Sequence, residues 1–374
     1  MAQFTGTLNK NEVYQFIYNM IISQTVRSDL IGGMYSKLTN IFRVDGSKYG
    51  DTKLFYSVQL TYVEDWKNDS EAANLLSLKR AEDPYCTKIA LDTFKMIWLT
   101  VDRYMSARAF SSEGVFGQFT SVILGTISDT KRVFFTKLMN VAIGTDVRGA
   151  TNGTSQKQEL ALPVAASSAT AAETEATNRL RATAIAQKIA KIFVELQDVN
   201  NKYNDLGYDR SYNPEDFIVV WNANYQTEIL KIDLPTIFHK DGMIAKLDDF
   251  VLPAEYFGEI SASDTSTEGQ RSVKGYLKST SSNGKTTYTW YKPGDVVPTG
   301  TKTKVGDFYT ENSKVICKII HKDALQVMSG FESSTEFFNP RSLTENHYAI
   351  FAYSDPQNSK LPDVPVITLT EKAS

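Results

Sequence analysis

The segment KLFYSVQLTYVEDW, residues 53–66, constrains the fold more than any other part of the chain. Apolar and aromatic side chains recur there at every second position, namely Leu54, Tyr56, Val58, Leu60 and Tyr62. An alternation of period two predicts a β-strand whose two faces differ in polarity. The preceding VDGSKYGD is rich in turn-forming residues. The sequence therefore predicts a long hairpin or ribbon in this part of the chain.

Two long segments with helical periodicity follow the ribbon. The first covers residues 112–143, where the apolar residues are Phe116, Phe119, Ile123, Ile127, Phe134, Leu138 and Val141. Gly125 interrupts this pattern at a cost of about 1 kcal/mol relative to alanine, which leaves open whether the helix is continuous. The second covers residues 171–200, with an apolar stripe of Leu180, Ala184, Ile185, Ile189, Ile192, Phe193 and Leu196.

Shorter apolar runs around these helices predict strands. They are the stretch at 86–110, FIVVW at 217–221, VICKII at 315–320, HYAIFAY at 347–353 and VPVITLT at 364–370. A short amphipathic helix is predicted at 11–23. This mixture of long helices and separate groups of strands predicts an α+β fold.

Residues 261–314 differ from the rest of the chain because they are rich in Ser, Thr, Gly and Lys. They predict a small β subdomain inserted into a hairpin loop. Within them, the segment STSSNGKTTY contains Gly284-Lys285-Thr286, which resembles the last three residues of a phosphate-binding loop. Such a loop also needs a glycine five residues before Gly284, and that position is Ser279. An aromatic and β-branched run follows instead of a helix. Asn283-Gly284 therefore predicts the turn of a hairpin.

The composition excludes several classes of protein. With 40 basic and 43 acidic residues the net charge is −3, which argues against a dedicated nucleic-acid binder. The two cysteines, Cys86 and Cys317, make neither a disulfide framework nor a metal cluster, and both are expected to be buried in a reducing compartment. Neither a signal peptide nor a run of about 18 apolar residues is found, so a soluble intracellular protein is expected.

Catalytic motifs are also missing from the sequence. It contains no HExxH, CxxC, GxSxG or GxGxxG pattern. The three histidines, His239, His321 and His347, lie far apart and are expected at the surface or its boundary. These observations predict a protein that is not an enzyme and has no cofactor or metal site. An enzyme would need a pocket that joins His239 or His321 to nearby acidic residues.

The order of the elements and two short segments resemble a known family. The segments are LKIDLPTIF at 230–238, after the buried strand FIVVW, and FFNPRSLTENHYAIFAY at 337–353, before the end of the chain. Together they resemble the major capsid proteins of tailed bacteriophages, which have the Hong Kong 97-type fold, and among these the small short-tailed podoviruses.

The resemblance implies a division of the chain into the domains of that fold. These are an N-terminal arm and helix at 1–45, an E-loop at 46–84, a P-domain at 85–165 with its spine helix at 112–143, an A-domain at 166–260 and 315–350, the inserted β subdomain at 261–314, and C-terminal strands at 351–374 that return to the P-domain. An insert at this position departs from the family pattern.

The resemblance also implies a function, which is self-assembly into the icosahedral head that encloses the double-stranded DNA genome. The expected partners are other copies in pentamers and hexamers, DNA through non-specific contacts, and scaffolding, portal and head-fibre proteins, with no membrane. The expected location is the virion capsid, assembled in the host bacterial cytoplasm. Another copy is expected to bury Tyr56, Val58, Leu60 and Tyr62 of the E-loop.

The alternative function is surface binding, in which residues 261–314 recognise a glycan or a host receptor. The ribbon distinguishes the two hypotheses. A monomeric binding protein has no use for a long two-faced strand pair that its own core does not cover.

Overall fold

The structure is a computed structural model. It describes residues 36–46, 50–63, 65, 80–101, 113–148, 156–230, 248–261, 270–272, 277–282, 285–290, 308–311, 314–356 and 358–372. The predicted helix at 11–23 and nearly all of LKIDLPTIF lie outside these ranges. No helix within them is long and apolar enough to cross a membrane.

The described residues form four α-helices and sixteen strands, which confirms the α+β class. The helices are α1 (Ser36–Ile41), α2 (Glu113–Thr145), α3 (Ala171–Gln197) and α4 (Ala223–Leu230). The strands are β1 (Arg43–Asp45), β2 (Thr52–Ser57), β3 (Tyr85–Ala90), β4 (Thr93–Val101), β5 (Lys157–Leu160), β6 (Phe217–Asn222), β7 (Asp248–Leu252), β8 (Gly258–Ser261), β9 (Gln270–Ser272), β10 (Leu277–Ser282), β11 (Lys285–Trp290), β12 (Phe308–Glu311), β13 (Val315–His321), β14 (Val327–Asn339), β15 (Thr344–Tyr353) and β16 (Val366–Glu371).

A five-stranded sheet in the order β5-β16-β13-β6-β7 forms the centre of the molecule. The predicted strands FIVVW and VICKII are neighbours in it as β6 and β13. Both faces of β6 are covered, because Phe217 and Val219 pack with α3 while Ile218 and Val220 pack with α1 and the end of α2. A strand that is buried on both faces explains why its sequence is continuously apolar.

Helix α3 begins at Ala171, as the sequence predicts, because a capping box precedes it. The Thr170 side chain accepts a hydrogen bond from the Glu173 N–H, and the Glu173 carboxylate accepts one from the Thr170 N–H at 2.8 Å. Leu180 was wrongly predicted to belong to the buried stripe, since it is 60% exposed. It lies five residues from the buried Ile185, which places it about 140° away around the helix.

A four-stranded sheet in the order β1-β14-β15-β4 lies beside the first sheet. Helix α2 covers one face of it, where Phe134 and Phe135 make edge-to-face contacts with Tyr353 at centroid distances of 5.6 and 5.9 Å. The far end of α2 packs into the core of the five-stranded sheet through Met139 and Ile143. The helix runs continuously through Gly125, which answers the question that the sequence left open.

A buried ionic cluster anchors the C-terminal end of α2. The Lys318 ammonium on β13 donates to the carbonyls of Ile143 at 3.2 Å and Asp146 at 2.8 Å. The Asp146 carboxylate accepts from the Arg148 guanidinium at 2.9 Å and forms an ion pair with Lys360 at 3.1 Å. Cations at the C-terminal end of a helix are favoured by its dipole and satisfy its free carbonyls.

The inserted segment has the predicted β structure in its described parts. Strands β8 and β12 are antiparallel neighbours, with Ser261 opposite Phe308, so paired strands flank the insertion. Strands β10 and β11 form a hairpin in which Ser282 pairs with Lys285. The two intervening residues lie outside the described ranges. A phosphate-binding loop would be followed by a helix, but a strand begins at Lys285. The hairpin prediction is therefore confirmed.

Candidate subunit interface

The predicted ribbon forms from β2 and β3, which are antiparallel and lie directly opposite each other. On one face Phe55 and Ile89 pack into the main core. On the opposite face Tyr56 stands beside Cys86, and both are exposed. The prediction that both cysteines are buried is therefore wrong for Cys86, since its position on β3 points it to the outer face. Cys317 is buried, and this burial raises the pKa of its thiol.

The strand of the ribbon is shorter than its sequence pattern predicts. It ends at Ser57 instead of continuing to residue 66. From that point the segment is held by a loop of the protein body instead of by a partner strand. The Arg210 guanidinium of this loop donates to the Ser57 hydroxyl at 3.1 Å and to the Val58 carbonyl. The Asp209 N–H donates to the Gln59 side chain at 3.0 Å. These contacts use the polar side of the segment and hold it against the body of the protein.

The four residues predicted for subunit contact are all exposed on this segment. The exposed fractions are 64% for Tyr56, 46% for Val58, 53% for Leu60 and 70% for Tyr62. With Leu54, which is also exposed, they form what is called here the ribbon face. The Tyr62 hydroxyl donates to the Asp209 carboxylate at 2.7 Å, and this hydrogen bond raises the pKa of the tyrosine.

A second exposed apolar surface was not predicted from the sequence. On β4, Phe94, Met96 and Trp98 point away from α2 and are 38%, 53% and 66% exposed. Their neighbours across the sheet are Tyr348 and Ile350 on β15. This surface is called the open sheet face. The alternation in TFKMIWLTV carries the signal that would have found it, because aromatic and sulfur-containing side chains recur there every second residue.

The two histidines that the structure describes, His321 and His347, do not form a common site. His321 at the end of β13 packs edge-on against Phe217, and its Nδ1 accepts a hydrogen bond from the Asp323 N–H at 3.1 Å. Burial lowers the pKa of His321. His347 belongs to β15 in the other sheet. Both are partly buried, which confirms the expected boundary positions, and His239 lies outside the described residues.

Comparison with solved structures shows the fold. A chain in the capsid structure of Staphylococcus phage Andhra is similar over 100% of this chain and 95% of that one, at 15% identity and a TM-score of 0.58. A chain in the structure of the head fiber and inner core protein gp22 of bacteriophage P68 is similar over 94% of this chain and 88% of that one, at 12% identity and a TM-score of 0.60. These similarities confirm the predicted Hong Kong 97-type fold.

Comparison of the sequence with protein families gives the function. No curated protein sequence matches the chain. The model of the Phi29-like phage major capsid protein family matches residues 4–356. This match supports the predicted capsid function and gives no support to surface binding through the insert. With nearly the whole chain matched, the protein belongs to the Phi29-like phage major capsid protein family.

Proposed function

We propose that copies of this major capsid protein assemble the icosahedral head by burying the ribbon face of one copy against another copy. The observation that carries the proposal is the division of the ribbon into two faces. Phe55 and Ile89 use the inner face to complete the core of their own chain, while Tyr56 and Leu60 remain exposed. Contiguous exposed apolar surface of this kind marks a site of protein contact.

The open sheet face supplies further apolar area for contact between copies. Obligate interfaces bury on the order of 2,000–5,000 Å² and are more apolar than the rest of the surface. The ribbon alone offers few apolar side chains, so the open sheet face is included in the proposed contact. Trp98 lies within it, and tryptophan is among the residues that contribute most to binding at interfaces.

The domains of the fold are assigned within the same proposal. The paired strands β2 and β3 carry the E-loop, α2 is the spine helix of the P-domain, and the five-stranded sheet with α3 forms the A-domain. The pairing of the strands supports this assignment, because β2 and β3 form a two-stranded sheet of their own while β6 and β13 lie inside the five-stranded sheet.

The remaining parts of the proposal concern role and partners. The chain acts as a structural subunit without catalysis, in pentamers and hexamers, and touches the packaged double-stranded DNA only non-specifically. A net charge of −3 agrees with this, since a dedicated DNA-binding surface needs an excess of basic residues. Assembly takes place in the host bacterial cytoplasm, with scaffolding, portal and head-fibre proteins as further partners.

The test is assembly of the purified recombinant chain, followed by light scattering and negative-stain microscopy, with co-expressed scaffolding protein where the chain alone stays unassembled. The wild type is expected to give closed shells or isolated capsomers. Leu60→Ser and Tyr56→Ser remove apolar contact area from the ribbon face and are expected to prevent shell formation.

Leu180→Ser is the matched control. Leu180 is 60% exposed, close to the 53% of Leu60, but lies on α3 away from the ribbon. This variant is expected to assemble like the wild type. Shells formed equally well by Leu60→Ser and Tyr56→Ser would contradict the proposal.

A further inference from the structure

Three side chains that commonly bind metal ions share one face of the β14–β15 hairpin. Glu336 lies directly opposite His347 in the antiparallel register, and Glu345 precedes His347 by two residues on β15. Residues that are opposite each other, or two apart on one strand, point to the same side of a sheet. The backbone therefore places one imidazole and two carboxylates together.

The distances between these groups are too long for hydrogen bonds. Nδ1 of His347 lies 4.0 Å from the Glu336 carboxylate, and Nε2 lies 3.9 Å from the Glu345 carboxylate. Hydrogen bonds between nitrogen and oxygen lie near 2.9 Å and lose their strength well before about 3.6 Å. One ligand atom from each of the three residues lies within 4.8 Å of the others. These distances are short enough for one ion to lie within reach of all three groups.

An independent observation concerns Nε2 of His347. This atom is buried and has no hydrogen-bond partner among the residues that the structure describes. Buried polar atoms are nearly always satisfied, so an orphaned nitrogen calls for an explanation. A metal ion bound to Nε2 gives one.

We propose that His347, Glu345 and Glu336 bind one divalent transition-metal ion, for which Zn²⁺ is the probe. Zinc accepts imidazole nitrogen and carboxylate oxygen at about 2.0–2.2 Å in a tetrahedron, which places the ligand atoms roughly 3.4 Å apart. The side chains need to close by only about 1 Å around the ion, which is within the reach of carboxylate rotation. A water molecule completes the four ligands. Mg²⁺ and Ca²⁺ prefer oxygen ligands alone and bind this set less well.

Such an ion would join the two strands at the outer end of their hairpin. The other end is already fixed, because Phe351 and Tyr353 pack beneath α2. The ion therefore stabilises the part of β14 and β15 that lies farthest from this packing. The proposal differs from the expectation, drawn from the sequence, of no metal site. The sequence did not indicate the site because Glu336 and Glu345 are nine residues apart and come together only through the strand pairing.

The experiment is a calorimetric titration of the full-length unassembled chain with ZnCl₂, after dialysis against a chelator, near pH 7.5, where histidine is mostly neutral. One zinc ion per chain is expected. His347→Asn should abolish binding, and Glu345→Gln and Glu336→Gln should each weaken it by about tenfold or more. Visible absorption of the Co²⁺-loaded chain should show the intense bands of a tetrahedral site, and His347→Asn should lose them.

Glu332→Gln is the control, because Glu332 occupies the same strand and the same side of the sheet but lies outside the cluster. It should bind zinc like the wild type. Absence of zinc binding by the wild type would overturn the proposal, and so would undiminished binding by His347→Asn. If circular dichroism shows that His347→Asn does not fold, Glu345→Gln decides in its place. Because binding is measured on unassembled chains, its failure is separable from a failure of shell assembly.

Discussion

The two larger sheets of this protein differ in how their apolar side chains are covered. The five-stranded sheet lies between α3 on one face and α1 with the end of α2 on the other, so Val219 and Val220 of one strand are both buried. Among the described elements, α2 packs on one face of the four-stranded sheet, and Met96 and Trp98 on the other face are exposed. The first sheet has both faces of this strand buried within one chain, whereas the second leaves apolar side chains exposed.

Under the proposed function, this difference separates residues that stabilise the subunit from residues that join subunits. Substitutions around the five-stranded sheet should change the free energy of unfolding of the isolated chain. Substitutions on the ribbon face and the open sheet face should change assembly instead. The predictions below test this separation, in order of decreasing effect on the stability of the subunit.

Asp146→Ala should have the largest effect. It leaves Arg148 and Lys360 without their carboxylate in a buried site, and removing one partner of a buried ion pair costs about 3–5 kcal/mol. Urea denaturation followed by circular dichroism measures the change. Glu175→Ala, which removes the exposed Arg179–Glu175 pair, should cost no more than about 0.5 kcal/mol. An equal cost for the two variants would show that burial of the cluster contributes nothing.

Thr170→Ala should cost about 1 kcal/mol, because it removes the hydroxyl that caps the start of α3. The same denaturation experiment applies. Thr174→Ala is the control in the first turn of the same helix, where the hydroxyl only bonds back to the Thr170 carbonyl. It should be neutral or slightly stabilising, since alanine has the higher helix propensity. A loss of stability in Thr174→Ala as large as in Thr170→Ala would contradict the capping explanation.

A smaller effect is expected from the protonation of His321. Burial lowers the pKa of this residue in the folded state, with Asp323 acting in the opposite direction. The unfolded chain therefore binds a proton more readily, and stability should fall as the pH falls below about 6.5. His321→Asn keeps an acceptor for the Asp323 N–H but does not titrate. Melting temperatures measured from pH 7.5 to 5 should decline less steeply for this variant, and parallel curves would refute the prediction.

Leu60→Ser and Trp98→Ser should have the smallest effect on the isolated chain. Both side chains are more than half exposed, and surface substitutions change stability by about 0.5 kcal/mol or less. The same variants should fail to form shells. A cost near that of Asp146→Ala would mean that these surfaces are covered within the subunit, and the distinction between the two sheets would then be lost.

Much of the fold was predictable because local patterns and tertiary packing agree. The capping box at Thr170, the periodicity of residues 112–143 and the continuous apolar run of FIVVW each specify one element. The ribbon face was predicted for the same reason, since its alternation is visible over several residues. Its role in subunit contact stays a prediction.

Other features depend on contacts that are distant in sequence. The end of β2 at Ser57 is set by Arg210, more than 150 residues away. Lys318 lies in the middle of an apolar strand, and its ammonium bonds carbonyls at the end of α2, which lie far away in sequence. The pairing of Tyr56 with Cys86 puts this cysteine on the outer face. No local pattern records these partners.

Helix α2 also has a mechanical consequence. Its 33 residues make a rod about 50 Å long that is shared by the two sheets. One end is clamped by the cluster around Asp146, and the middle rests on the aromatic side chains of the four-stranded sheet. A rotation of only five degrees about the clamp would move the opposite end by roughly 4 Å. A rod of this length would therefore act as a lever arm, in which a small angular change near the five-stranded sheet becomes a large displacement at the far end of the helix.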